Sequence, residues 1–446
     1  MISRRQALQS LLWAGAGVAS GRLLTGCSGG DWSDRMRREG GVVMGGDVAL
    51  STVSRTAVGD AEVPLAVRAV QAFTADLYRT LAAGPGNLVC SPYSVAVALA
   101  MTRNGARGRT ADEMDRVLHA PGPERFNAGM NALVQRLEDR AGTHRRLTGD
   151  ESDLVLDSAN SLWGQRDLRW EEPFLDVLAR HYGAGMRLVD YIADPEHAAE
   201  LINAWTSEAT RERIPRLIPP GVLDHLTRLV LVNAIYFKAA WLEQFDKTAT
   251  RRHPFTTSDG SRVEVDMMSE DLHRAAFASG EGWRAARLSY VGGELALAVV
   301  VPDADRSLGD VEASLDGPGL DRLLTRFRPV PVLRVEMPRW TFRVQARLND
   351  HLIALGMPTA FTDRADFTGM TTQEQLCISH VLHEAFIAVD EAGTEAAAAT
   401  AVVVRVVSAQ VEPPLTLIAD RPFLFVLFDI ETATPIFIGR VSDPTQ

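Results

Sequence analysis

The chain has 446 residues, 46% of them hydrophobic and 23% charged, with a formal charge of −11. That length allows one large domain or two or three average ones, and the ordinary globular usage excludes a wholly disordered, collagen-like or polytopic membrane protein. Three Cys exclude a disulfide scaffold and a Cys-based structural zinc site, and the acidic balance argues against nucleic acid as a partner.

The first residues read as an address. Arg4 and Arg5, followed by a moderately apolar stretch over 11–24, resemble a twin-arginine export signal, too short to span a bilayer. Leu24-Thr25-Gly26-Cys27 resembles a lipobox, in which the chain is cut before the cysteine and the thiol carries lipid. Residues 1–26 are therefore expected to be a signal peptide, with Cys27 the lipid attachment point. An ordinary signal peptide with a chance cysteine is the alternative. Removal of 1–26 takes away Arg4, Arg5 and Arg22 and no acid, so the mature charge is −14. Anchoring would then come from acylation and not from a basic patch. Gly, Ser, Asp and Arg dominate after Cys27, and 27–62 reads as a flexible spacer. Gly26 to Gly30 also matches G-x-S-x-G, without the strand and helix that motif needs.

Residues 63–446 read as one α+β domain, with helices early and strands later. Ser91-Pro92 opens a helix, with Val95, Ala98, Leu99 and Met101 as its apolar face. Thr110 to Glu113 has the pattern of a capping box, and 201–210 reads as a further helix. Strand patterns cover 229–237, interrupted only by Asn233, then 295–301, and 423–428 with 435–441 as a hairpin-like pair. Enzyme motifs are scarce. The two lysines, Lys238 and Lys247, fit neither a phosphate-binding loop nor S-x-x-K. His380 and His383 sit in a strand-like stretch, where a spacing of three puts them on opposite faces, so no metal site is expected. By propensity 394–401 is a helix capped by Thr394, feeding a β-branched run over 402–407. A bland surface helix plus edge strand is one reading. A segment able to occupy two states is the other.

Glu391, Gly393, Thr394, Glu395, Ala396, Ala397, Ala398, Ala399 and Thr400 together resemble the hinge of the serpins. Supporting motifs run in order through the chain: 87–94 with 105–110, 233–241, 355–357 with 365–367, and 421–425 with 439–441. The resemblance implies one domain of three β-sheets with about nine helices and an exposed reactive-centre loop. It implies a suicide inhibitor of serine proteases, not an enzyme. The loop is cut, the protease is held as an acyl-enzyme, and the loop inserts into the main sheet. Alternation in a strand supports competence: Thr394, Ala396, Ala398 and Thr400 would face inward, all small and uncharged, and no Pro interrupts 394–408.

Counting from Gly393, the fifteenth residue is Val407, which makes Val407–Ser408 the expected reactive bond and an elastase- or subtilisin-like protease the expected covalent partner. Arg405 is the alternative, with a trypsin-like protease. Ser91, Ser94, Asn233 and His383 match the family's buried polar cluster under the sheet opening, and an Asn within an apolar strand needs such partners. Trp241, Arg339 and Glu391 match the place where the loop first enters the sheet, with Arg339 and Glu391 placed to pair. Cys90 and Cys377 match no motif, and each sits in a core-like stretch. No cofactor is expected. The expected molecule is an exported monomer, held at the cell membrane by Cys27 or released outside the cell. The competing functions are a non-inhibitory binding protein on the same fold and an unrelated lipoprotein hydrolase, for which no nucleophile–base pair speaks.

Overall fold

The computed structural model describes residues 47–57, 59–395 and 414–446. Cys27, residues 396–400, Arg405, Val407 and Ser408 lie outside the described residues. Among the described residues there are nine α-helices and three sheets.

The first sheet carries the site. Its strands lie in the order β1 (Asp47–Ala49), β5 (Met186–Val189), β4 (Glu151–Gln165), β6 (Leu229–Ala240), β16 (Gly393–Thr394), β15 (His380–Val389) and β14 (Trp340–Arg347), with β3 (Gly142–Arg145) on the end of β4. The second sheet runs β12 (Arg328–Pro329), β9 (Ala276–Gly280), β10 (Trp283–Ser289), β11 (Leu295–Pro302), β18 (Phe423–Asp429), β19 (Thr434–Val441) and β2 (Leu88–Cys90). The third is β17 (Leu415–Ile418), β13 (Leu333–Pro338), β8 (Arg262–Leu272) and β7 (Arg251–Thr256).

The unbroken apolar runs of β11 and β18 have a simple cause: both faces are buried. Leu297, Val299, Phe425 and Leu427 face the main core, while Ala298, Val300, Leu424 and Val426 face a second cluster under α7 (Leu308–Ala313) and α8 (Gly317–Thr325). Helix α1 (Val63–Leu81) places Ala66, Val70, Phe73 and Leu77 in that main core at helical spacing. Helix α2 (Pro92–Arg103) is buried from Pro92 to Thr102, and Ser91 caps it by accepting from the Ser94 amide. Helices α3 (Gly108–Val117), α4 (Pro123–Glu138), α5 (Glu172–Tyr182) and α9 (Asn349–Leu355) surround this core. Helix α6 (Pro195–Ala209) covers the outer face of the first sheet, packing Ala198, Ala199 and Ile202 on Trp163, Val230, Val232 and Leu382.

Three sequence expectations change. Residues 47–57, assigned to the spacer, belong to the body: β1 pairs with β5, and the Thr56 amide donates to Arg180 O at 2.9 Å on α5. An edge strand this short carries no signal of its own; the partner strand creates it. Thr110 is the third residue of α3 and not its cap, because the helix starts at Gly108, and its hydroxyl instead accepts from the Asp366 amide. Thr394 is in strand β16 and not at a helix start, since tertiary pairing overrides an Ala-rich propensity.

Candidate functional site

Two strands, β6 and β15, form a seam through the first sheet. They run parallel and pair directly from Val230–His380 to Ile235–Ala385. Above Ile235 they part. There Gly393 pairs with Ala240, Thr394 pairs with Ala239, and Thr394 also pairs with Val389, so β16 lies antiparallel between them. Gly393 has φ +153°, and a Cβ there would lie 2.1 Å from Ala239 O, so only glycine fits.

A polar row crosses the closed part of the seam. Asn160 on β4, Asn233 on β6 and His383 on β15 occupy successive register positions, over the N-terminus of α2. His383 Nε2 accepts from the Ser91 amide at 3.1 Å. That nitrogen therefore carries no proton, and Nδ1–H donates to Asn233 Oδ1 at 2.5 Å. Asn233 Nδ2 then donates to Ser94 Oγ at 2.5 Å and to Asn160 Oδ1, and Ser94 Oγ donates to Asn160 Oδ1 at 2.8 Å. Ser91 Oγ donates to Ile436 O at 2.7 Å on β19. All four expected residues meet, and each group has a partner of the right sense. Burial holds the His383 imidazole down to about 4, so the ring is neutral at pH 7. Asn160 was missed by sequence reasoning. It is only partly buried on a strand of mixed polarity, a pattern that reads as solvent-facing.

The open end is held by charge. Arg339 grips the Glu391 carboxylate with both ends of its fork, Nε at 2.8 and 2.9 Å and Nη2 at 2.5 Å, and Thr250 Oγ1 donates to the same carboxylate. Glu391 is 1% exposed. Burial alone would raise its pKa, but the hydrogen bonds from Arg339 and Thr250 outweigh it and hold the carboxyl below its usual range. Trp241 ties the turn before β16 to β6: its amide donates to Ala392 O and its indole N–H to Asp390 O, both at 2.9 Å. The Trp241 ring stacks on Tyr290, centroids 4.6 Å apart, and Tyr290 Oη hydrogen-bonds Thr394 Oγ1 at 2.6 Å. Sequence motifs gave no sign of Tyr290 or Thr250.

His380 and His383 lie on opposite faces of β15, as their neighbours show: Leu382 faces α6, while Val381 and Ala385 face the main core. No group of three metal-ligating side chains occurs among the described residues. Cys90 and Cys377 are free. Burial raises Glu384, on the α6 face of β15, to about 7 against the lowering effect of Arg343.

Comparison with known proteins gives a consistent result. A family model described as serpin (serine protease inhibitor) matches residues 68–444. An uncharacterized serpin-like protein of Thermococcus kodakarensis is 37% identical over 380 residues, 85% of each chain. The leukocyte elastase inhibitor of Bos taurus is 34% identical over 383 residues, 83% of this chain and 97% of that protein. Among solved structures, the thermophilic serpin tengpin in its native state superposes with a TM-score of 0.77 at 25% identity, covering 93% of this chain and 99% of that one.

Proposed function

The chain belongs to the serpin family, whose members are mostly protease inhibitors and not enzymes, and from that premise we propose that it traps a serine protease by reactive-loop cleavage and insertion into the first sheet. One observation carries the reading. Gly393 and Thr394 already occupy the place of a new central strand, while the strands on either side of them are still zipped together immediately below. The sheet is thus closed, with its entry started.

The protease serine hydroxyl attacks the Val407 carbonyl carbon. The amide bond to Ser408 breaks, the freed Ser408 amine takes up the proton, and Val407 remains as an ester on the enzyme. Residues after Thr394 then extend β16 downward, which carries the ester-linked protease away from the entry. Thr394 faces inward to Tyr290, so by alternation Ala396, Ala398 and Thr400 follow it onto the inner face and bring no charge there. A small aliphatic residue at Val407 suits an elastase- or subtilisin-like pocket, and the likeness to a leukocyte elastase inhibitor supports the elastase-like choice. The protein acts as a monomer outside the cytoplasm, anchored through acylated Cys27.

The test mixes the protein with elastase-, subtilisin- and trypsin-like proteases, followed by denaturing electrophoresis and mass measurement of the released peptide. A complex that survives denaturation with a peptide starting at Ser408 supports the proposal, and a start at Val406 moves the bond to Arg405. Clean cleavage without a complex from every protease overturns trapping in favour of a binding protein. Thr394→Arg puts a charge on the inward-facing position of the entry, and it turns a trapping inhibitor into a substrate while leaving a pure binder unaffected.

A further inference from the structure

The base of the loop is gripped by a residue from outside the sheet. Glu395, the residue after β16, has φ +50°, a left-handed conformation that a non-glycine residue holds only when its surroundings impose it. Here the extended conformation of β16 ends. The Glu395 amide donates to Ala388 O at 2.8 Å on β15, and its carboxylate, 10% exposed, pairs with Arg213 Nε. Tyr236 and Lys238 of β6 adjoin the same carboxylate. Arg213 belongs to the connection between α6 and β6, which crosses the outer face of the sheet. This connection is stitched to strands on both sides of the seam. Arg211 Nε pairs with Asp157 of β4 at 2.9 Å, while on β14 Arg343 Nη2 donates to Arg213 O and Gln345 Nε2 donates to Leu217 O, each at 2.6 Å. Arg213 is thus fixed by its main chain to β14 and reaches the loop base with its side chain.

We propose that Arg213 is a positioning residue for the reactive loop. It holds Glu395 at the mouth of the seam, so that the chain leaves the sheet after Thr394, and its own position follows β14 through Arg343. The docking of the loop base is then coupled to the width of the sheet, because separation of β15 and β14 from β6 moves the main chain that carries the Arg213 side chain. The inference deepens the reading of residues after Glu395 as the reactive loop and rests on it for its functional meaning. The contact itself is a property of the free protein.

The test is hydrogen exchange on the free protein, read by mass spectrometry over peptides covering 386–395 and 239–245. Arg213→Met and Glu395→Gln each raise exchange there roughly tenfold or more, because amides such as Glu395 and Trp241 lose protection when the base undocks. Exchange in α6 stays as in the wild type. Arg213→Lys, which keeps the charge, restores most of the protection, and the exchanged pair Arg213→Glu with Glu395→Arg restores part of it. Against any protease that the wild type traps, Arg213→Met changes the association rate severalfold and Arg213→Lys does not. Wild-type exchange over 386–395 in Arg213→Met overturns the proposal. So does equal loss across α6, which would make the pair a general stabiliser. A protein that traps no protease but undocks as described keeps the contact and loses the loop reading; trapping with unchanged exchange does the reverse.

Discussion

The two ends of one seam are built on opposite principles. Its closed end is neutral: Asn160, Asn233, His383, Ser91 and Ser94 satisfy one another with a single self-consistent set of proton positions, and no ion is involved. Its open end is ionic: Glu391 is clamped by Arg339, and Glu395 is met by Arg213. A neutral network loses little by being taken apart where each group finds water or a new partner. A buried carboxylate that loses its cation is expensive to leave in place. On the proposed mechanism the two ends have different duties: the stretch that would separate is joined by groups that tolerate separation, and Glu391, which would stay in place, is joined to Arg339 by a charge that does not.

Glu391→Lys attacks the ionic end directly, placing a second cation beside Arg339 where the native carboxylate is almost fully withdrawn from water. A loss of about 3–5 kcal/mol is expected, with spontaneous insertion or polymers on native gels; an unchanged, active monomer would refute the role given to the pair. Asn233→Leu strips three partners at once at the neutral end, from His383, Ser94 and Asn160, and is expected to cost about 2–4 kcal/mol in the urea midpoint. Asn160→Leu costs less, because Asn160 is half-exposed and Asn233 keeps its hydrogen bonds to Ser94 and His383.

Acid separates the two ends by sign. His383 and His380, both depressed from 6.5 to about 4 by burial, take up protons first in the unfolded chain, so the stability they support is present near pH 7 and is lost as pH falls from about 6.5 toward 4. Glu384, raised from 4.5 to about 7, is protonated first in the folded chain and weakens the fold as pH rises over the same range. Glu384→Gln removes this opposing contribution. Its stability should therefore fall more steeply between pH 7 and 5 than that of the wild type, by about 1–2 kcal/mol, and parallel curves would exclude Glu384 as the counterweight. The smallest expected effect is at Thr394→Val, which loses the Tyr290 hydrogen bond but keeps the shape, at about 1 kcal/mol. A larger loss would show that the entry is held by Thr394 more than by its neighbours.

Much of the fold was legible because its strands announce their surroundings. The runs of β11 and β18 are apolar on both faces and can only be central. Asn233 stood out for the same reason: in such a run a polar side chain must be satisfied, and Ser91, Ser94 and His383 were the matched partners. Asn160 belongs to the same network but sits on a strand with Asp157 and Ser158 beside it, so nothing in its surroundings marked it. Arg213, Thr250 and Tyr290 were invisible for a different reason. Each acts through a contact between segments far apart in the chain, and one Arg among many carries no local mark. The propensity of 394–401 pointed to a helix because propensity describes an isolated segment, while Thr394 is placed by two strands from elsewhere.

The directions of the strands add a further consequence. β6 and β15 are parallel, and β16 is antiparallel to both. A strand growing downward from Thr394 would exchange each slanted parallel rung for two antiparallel ones, the sturdier kind of ladder. The closed sheet has one ladder along its midline where the extended one would have two, and on the proposed mechanism every step of growth would increase the gain and leave less to reverse. Such a geometry is a ratchet: it needs a catch at its first tooth, and once released it has a direction.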